Sequence, residues 1–182
     1  MISLQPSING ENLRQELKIP DDAIVFARYG GMDTFNIPFC WQVIYNILET
    51  RENIYFLFIN TPRPFEHKRM IHLPKITSDY DKNKFISTCD AHLECGTLGH
   101  SFGLAIAEFS VNNKPIIAYN KNLWNTAHID ILKDKGIYFT TSDEFYNILT
   151  TFDPKKYKDL DLNCYREYTP EKVMRQFEKI FL

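Results

Sequence analysis

The chain has 182 residues, 44% hydrophobic and 24% charged, with a formal net charge of -2. That is one domain's worth of polypeptide with enough apolar mass to bury a core. The sequence pI of about 6.2 leaves no basic footprint for nucleic acid or an anionic membrane. No apolar run reaches the roughly 18 residues that span a bilayer. The start, "MISLQPSINGEN", lacks the charged and apolar regions of a signal peptide. Cys40, Cys89, Cys95 and Cys164 form no Cys-x-x-Cys pair. Reduced thiols and a cytoplasmic location are therefore expected.

Taken in chain order, residues 1–20 read as a lead-in, with "ENLRQELKIP" a short helix stopped by Pro20. "AIVFARYG" (Ala23 to Gly30) is a short apolar run ending in glycines, hence a buried strand. The helix "IPFCWQVIYNILETR" follows, with Ile37, Trp41, Ile44 and Leu48 on one stripe. Asn36 is placed to cap it, and Pro38 suits its first turn. "NIYFLFIN" and "MIHLPK" are the second and third strands, separated by a proline-broken loop. Ser78 caps a helix over "DYDKNKFISTC". "AHLEC" is the fourth strand, and "GHSFGLAIAEFSVNNKPIIAYN" gives a turn, a helix and a fifth strand. "TAHIDILKDK" is a helix, "GIYFT" a sixth strand, and "SDEFYNILTTF" a helix capped by Ser142. Residues 166–182 close the chain as a helix with Val173, Phe177 and Ile180 on one face.

Short continuous apolar strands alternating with helices imply a parallel sheet covered on both faces. The fold class expected is α/β, a doubly wound, mostly parallel, Rossmann-like sheet in a single domain over residues 1–182. Ligands of such sheets bind beyond the carboxyl ends of the strands.

Two segments end there with chemistry. In "GHSFGLAIAEF", Ser101 is placed to cap a helix starting at Phe102, and Gly99 and Gly103 permit close backbone approach. The amides of Ser101, Phe102, Gly103 and Leu104, with the helix dipole, favour an anion. Glu108 follows Ser101 by seven residues, on the same face and roughly 10 Å along the axis. A carboxylate there accepts two hydroxyl hydrogen bonds, which suits vicinal ribose hydroxyls. A capped helix with an exposed Glu has the same spacing. In "FARYGG", Arg28 ends the first strand before Gly30 and Gly31, and its planar fork suits a diphosphate. A surface arginine paired with a nearby Asp is the plainer alternative.

Other chemistries fit less well. His92, Glu94 and His100 cluster in sequence, and His92 and Glu94 share one strand face. No zinc spacing accompanies them, and no metal site is expected. No P-loop or Gly-x-Gly-x-x-Gly is present. "GHSFG" has the Gly-x-Ser-x-Gly form of a hydrolase elbow, but no acid and base partners follow it in order.

The order of these motifs resembles the C-terminal, donor-binding half of GT-B fold retaining glycosyltransferases, the family-four-like group 1 glycosyl transferases. "HSFGLAIAE" parallels that group's Glu-x-Phe-Gly-Leu-x-x-x-Glu signature, "NNKPIIAY" the Lys-Pro strand after it, and "VFARYGG" its Gly-Arg strand end. "CDAHLECG" and "NTAHIDILKDKGIYF" resemble the flanking segments, so the likeness covers roughly residues 10–150. The resemblance implies a nucleoside-diphosphate sugar as substrate, with no metal or other cofactor. It implies Arg28 on the diphosphate, the amides around Phe102, Gly103 and Leu104 cradling phosphates, Gly30 and Gly31 in the donor site, Glu108 on the ribose and Thr77 to Tyr80 near the base. His100 stands where the group has a sugar-contacting Glu. The Lys that usually follows the arginine by five or six residues is replaced by Asp33 or Thr34. The acceptor-binding N-terminal domain is not within this sequence, which implies a partner domain in cis or trans. A nucleotide-sugar-binding or interaction module without catalysis is the alternative.

Overall fold

The computed structural model describes residues 10–182. Residues 1–9, the first part of the expected lead-in, lie outside them. Six strands form one parallel sheet: β1 (Ile24–Tyr29), β2 (Ile54–Ile59), β3 (Met70–Leu73), β4 (Ala91–Glu94), β5 (Ile116–Tyr119) and β6 (Ile137–Phe139). Their order is β3-β2-β1-β4-β5-β6, with every neighbouring pair parallel. The helices are α1 (Pro38–Thr50), α2 (Asp79–Thr88), α3 (Leu104–Val111), α4 (Ala127–Leu132), α5 (Ser142–Thr151) and α6 (Pro170–Phe181). The expected doubly wound α/β architecture is the one observed.

Alternation along β1 divides the core. Phe26 faces the layer built by α1 and α5, with Ile44, Ile47, Phe145 and Leu149. Val25 and Ala27 face the other layer, with Phe85 and Ile86 of α2, Ile106 and Phe109 of α3, and Leu132. Each fully buried side chain of this size contributes about 1.5–3 kcal/mol of transfer free energy. The strands therefore read as unbroken apolar runs, because neither face meets water.

The strand order reverses between β1 and β4. Their pairing covers only Phe26 with Ala91 and Ala27 with His92, whereas β1 pairs β2 along its whole length. Beyond that register β1 and β4 are no longer paired, and it is at such a reversal that sheets of this kind place a ligand crevice. Arg28 and Glu94 stand on its two sides.

Local details depart from the sequence reading where tertiary contacts outbid propensity. "ENLRQELKIP" forms turns, not a helix. Arg14 ties this segment down by donating to the carbonyls of Pro20 and Ala23 and to Asp90, which also accepts from Val25 N at 2.7 Å. Asn36 does not cap α1; Ile37 occupies the cap position without a side-chain bond. Asn36 Oδ1 instead accepts from the amide and hydroxyl of Thr97, at 3.0 and 3.1 Å. The buried stripe of α1 is Cys40, Val43, Ile44, Ile47 and Leu48, with Trp41 at its edge against Phe35. Ser78 caps α2 as expected. On α5 the cap is Thr141 in a reciprocal capping box with Glu144, one residue before the expected Ser142.

Candidate functional site

The turn between β4 and α3 is fixed from three sides. Asn36 holds Thr97 on one flank. On the other, Thr97 O accepts from Leu123 N at 2.8 Å and Leu98 O from Asn125 N at 3.0 Å. Gly99 (φ +72°) bridges to Asn125, so closely that a Cβ at position 99 would overlap the Asn125 carbonyl oxygen. Only glycine combines that φ with that approach. The third hold is the C-terminal segment that crosses α3. Ser110 Oγ donates to Leu162 O at 2.8 Å and accepts from Cys164 N, and the buried Tyr165 donates its hydroxyl to Phe102 O at 2.9 Å. Phe102 packs edge-on against Tyr165 and Tyr168.

Helix α3 starts later than its sequence suggests. Gly103, at φ +78°, is its cap residue; Ser101 is exposed and makes no cap bond. Tyr165 and the glycine conformation set the helix start, which serine chemistry alone had put at Phe102. The first turn's bond runs from Ala107 N to Gly103 O at 2.8 Å. The amides of Leu104, Ala105 and Ile106 thus have no intrahelical acceptor and form the positive end of the helix. Glu108 lies one turn in, about 6 Å along the axis from Leu104, so the longer spacing counted from Ser101 does not apply.

Glu108 is almost buried, with a side-chain exposure of 12%. It accepts a short hydrogen bond from the Tyr29 hydroxyl and lies 3.0 Å from Lys82 Nζ of α2. Burial pushes its pKa up to about 7, although the lysine beside it favours the ionised form. Neither Tyr29 nor Lys82 stood out in the sequence. Their signals are positional: Tyr29 alternates with Arg28 and so faces α3, and Lys82 sits one turn after the cap Ser78.

Arg28 is 1% exposed. Its guanidinium donates to Thr34 Oγ1 and Thr61 Oγ1 and lies over the Phe35 ring. Burial weakens its hold on the proton, and Glu94 opposes that. Gly30 leaves room for this packing, since a Cβ there would come within 2.9 Å of the guanidinium. The Gly30 carbonyl also accepts from Asn60 Nδ2 at 2.6 Å, while Gly31 is exposed at the crevice rim. Asp33 is exposed as well.

Across the crevice, Glu94 is 2% exposed. His100 Nε2 lies 3.0 Å from its Oε1, and His92 Nε2 3.7 Å from its Oε2. Burial alone would raise the Glu94 pKa, but the two histidines and Arg28 outweigh it and hold the carboxyl well below its ordinary value. His92 is fully buried against Phe109, and burial lowers its pKa. The His100 ring meets His128 of α4 edge-on at 5.5 Å, and burial lowers the His128 pKa. Arg28, Glu94, His92 and His100 thus form one network, and Glu108 with Tyr29 and Lys82 another. Among the described residues no group of three or more His, Cys, Asp or Glu is arranged to hold a metal ion.

This fold has counterparts among solved structures. It is one half of a GT-B glycosyltransferase fold. HepE of Anabaena in complex with UDP-glucose superposes with a TM-score of 0.73 at 15% identity, over 97% of this chain and 53% of that one. Sucrose-phosphate synthase of Thermosynechococcus elongatus gives 0.69 at 15% identity, over 98% and 49%. The C-terminal domain of a glycosyl transferase group 1 family protein, LpcC of Francisella tularensis, gives 0.63 at 16% identity, over 96% and 95%. The chain therefore spans about half of the first two proteins and nearly all of an isolated C-terminal domain. No family model matches the sequence, and no curated protein does. Among the described residues no helix is long and apolar enough to cross a membrane.

Proposed function

We propose that this chain is the donor-binding domain of a retaining glycosyltransferase, taking a nucleoside-diphosphate sugar in the β1/β4 crevice without a metal ion. The observation that carries the reading is the α3 N-terminus, whose unpaired amides open beside the crevice with Glu108 one turn behind them. The diphosphate sits on the amides of Leu104 to Ile106, and ribose hydroxyls donate to Glu108 in place of Tyr29 and Lys82. Departure of the nucleoside diphosphate from the anomeric carbon builds negative charge on the leaving oxygens. The helix N-terminus stabilises that charge, with Arg28 acting from below through the buried network. HepE, bound to UDP-glucose, supports the ligand class by analogy of fold. The acceptor side belongs to a second domain, so the isolated chain binds donor but transfers nothing.

Calorimetric titration with UDP, GDP, ADP and their glucose conjugates, with and without EDTA, tests this. One diphosphate and its sugar bind, and chelation changes nothing. Absence of binding to all six rejects the reading, and donor turnover by the isolated chain rejects its inactivity. A second reading is favoured by one observation: Glu108 is already held internally by Tyr29 and Lys82, and both terminal nitrogens of Arg28 by Thr61 and Thr34. On that reading the chain is a binding module without catalysis. It is distinguished by donor binding that persists when an acceptor domain is supplied and no transfer follows.

A further inference from the structure

We propose that Glu94 is a positioning residue that locks the His100 ring with Nε2–H inward, leaving Nδ1 as a fixed hydrogen-bond acceptor for a hydroxyl of the donor's sugar. The inference deepens the donor-binding reading and rests on it. The geometry behind it is specific. Glu94 ends β4 and is 2% exposed, yet its Oε1 accepts no hydrogen bond from any described residue. His100 Nε2 lies 3.0 Å from that oxygen, at ion-pair distance, and is itself buried with no other partner among the described residues. His100 is the one member of the network that reaches the crevice, at 26% side-chain exposure, and its inward nitrogen is buried.

A buried carboxylate is an acceptor only, so the ring nitrogen facing it must carry the proton. The other nitrogen then presents its lone pair in the neutral ring. Unaided, a neutral imidazole exchanges between its two tautomers, so Nδ1 is an acceptor in one and a donor in the other. The carboxylate removes that ambiguity, much as a second carboxylate orients a metal-bound histidine. Arg28 on β1 and His92 on β4 keep Glu94 ionised, and His128 on α4 is held neutral by burial. From α1 the facing group is the Cys40 thiol, which shares a hydrogen bond with the free thiol of Cys95 beside Glu94. The turn that carries His100 is rigid, pinned at Thr97, Leu98 and Gly99.

The test combines nitrogen NMR with paired titrations. In 15N spectra above pH 8, His100, assigned by its loss in His100→Gln, shows a protonated Nε2 and a bare Nδ1. In Glu94→Gln that pattern becomes a tautomer mixture. For the diphosphate that titrates and its glucose conjugate, Glu94→Gln and His100→Gln each weaken the sugar conjugate about tenfold, the scale of one hydrogen bond. Both leave the bare diphosphate within about twofold, and the double variant is no worse than either single one. Glu94→Gln disturbs a buried charge; if it does not fold, His100→Gln, at a part-exposed turn position, decides the matter by the same comparison of diphosphate with conjugate. An unchanged nitrogen pattern, equal losses for diphosphate and conjugate, or additive losses in the double variant each overturn the proposal. If the wild-type chain binds no diphosphate or conjugate, the donor reading fails and the sugar contact with it. If the diphosphate binds normally and only the sugar-specific loss is missing, Glu94 and His100 alone are refuted.

Discussion

Gly99 is the position where replacing one hydrogen by a methyl group should cost most. In Gly99→Ala the residue keeps φ near +72°, which costs an L-residue about 1–2 kcal/mol. Its Cβ would also overlap the Asn125 carbonyl and lie 2.9 Å from Asn122 Cβ, so backbone must move. The two hydrogen bonds from Leu123 N and Asn125 N stretch or break as it does. At about 0.5–1.5 kcal/mol each, they bring the expected loss to about 2–5 kcal/mol. For a chain of this length that is a fall of about 4–20 °C in melting temperature. Gly103→Ala is the control, because its φ is +78° but its Cβ meets no backbone, only the Ile106 side chain, nearest at Cδ1 at 3.0 Å. Thermal unfolding followed by far-ultraviolet circular dichroism reads both. Gly99→Ala should fall well below Gly103→Ala; equal losses would mean that backbone strain, not close approach, explains the glycine, and the reasoning would be refuted.

Two further outcomes follow from the same contacts. Glu108 binds its proton more tightly folded than unfolded, so the native chain holds more protons between about pH 5 and 7 and loses stability as pH rises through that window. Glu108→Gln cannot titrate, so its melting temperature relative to wild type should rise from pH 5 to pH 8; a constant difference would show that Lys82 neutralises the effect. Tyr165→Phe removes the bond to Phe102 O while keeping the ring packing, and should cost about 1 kcal/mol and weaken diphosphate binding by loosening the turn before α3. Unchanged affinity would show that the turn keeps its shape without the C-terminal segment.

Much of the architecture was legible because it is written in period and punctuation. Continuous apolar strands, Ser78 as a cap and the glycines after β1 all act within a few residues. The helix ends that were misplaced share one cause. Asn36 is a good cap by type, but Thr97 across the chain takes its oxygen. Ser101 is a good cap too, but Gly103 in the left-handed region, braced by Tyr165, sets the helix start. On α6 the expected face of Val173, Phe177 and Ile180 formed, yet Phe177 and Ile180 stay exposed, because periodicity specifies a face and not what covers it.

The sequence by itself determined the α/β alternation and singled out Arg28, His100 and Glu108 near the carboxyl ends of the strands, since these follow from local pattern and motif order. Only the tertiary structure decided how they are charged and held. Glu94 is an unremarkable strand residue in sequence; it becomes the centre of a buried network once β1, β4 and the following turn bring Arg28, His92 and His100 around it. Glu108 likewise changes from a residue on one helix face to a shielded carboxyl when Tyr29 and Lys82 close on it. Burial and charge pairing arise between segments far apart in the chain, and no local pattern records them.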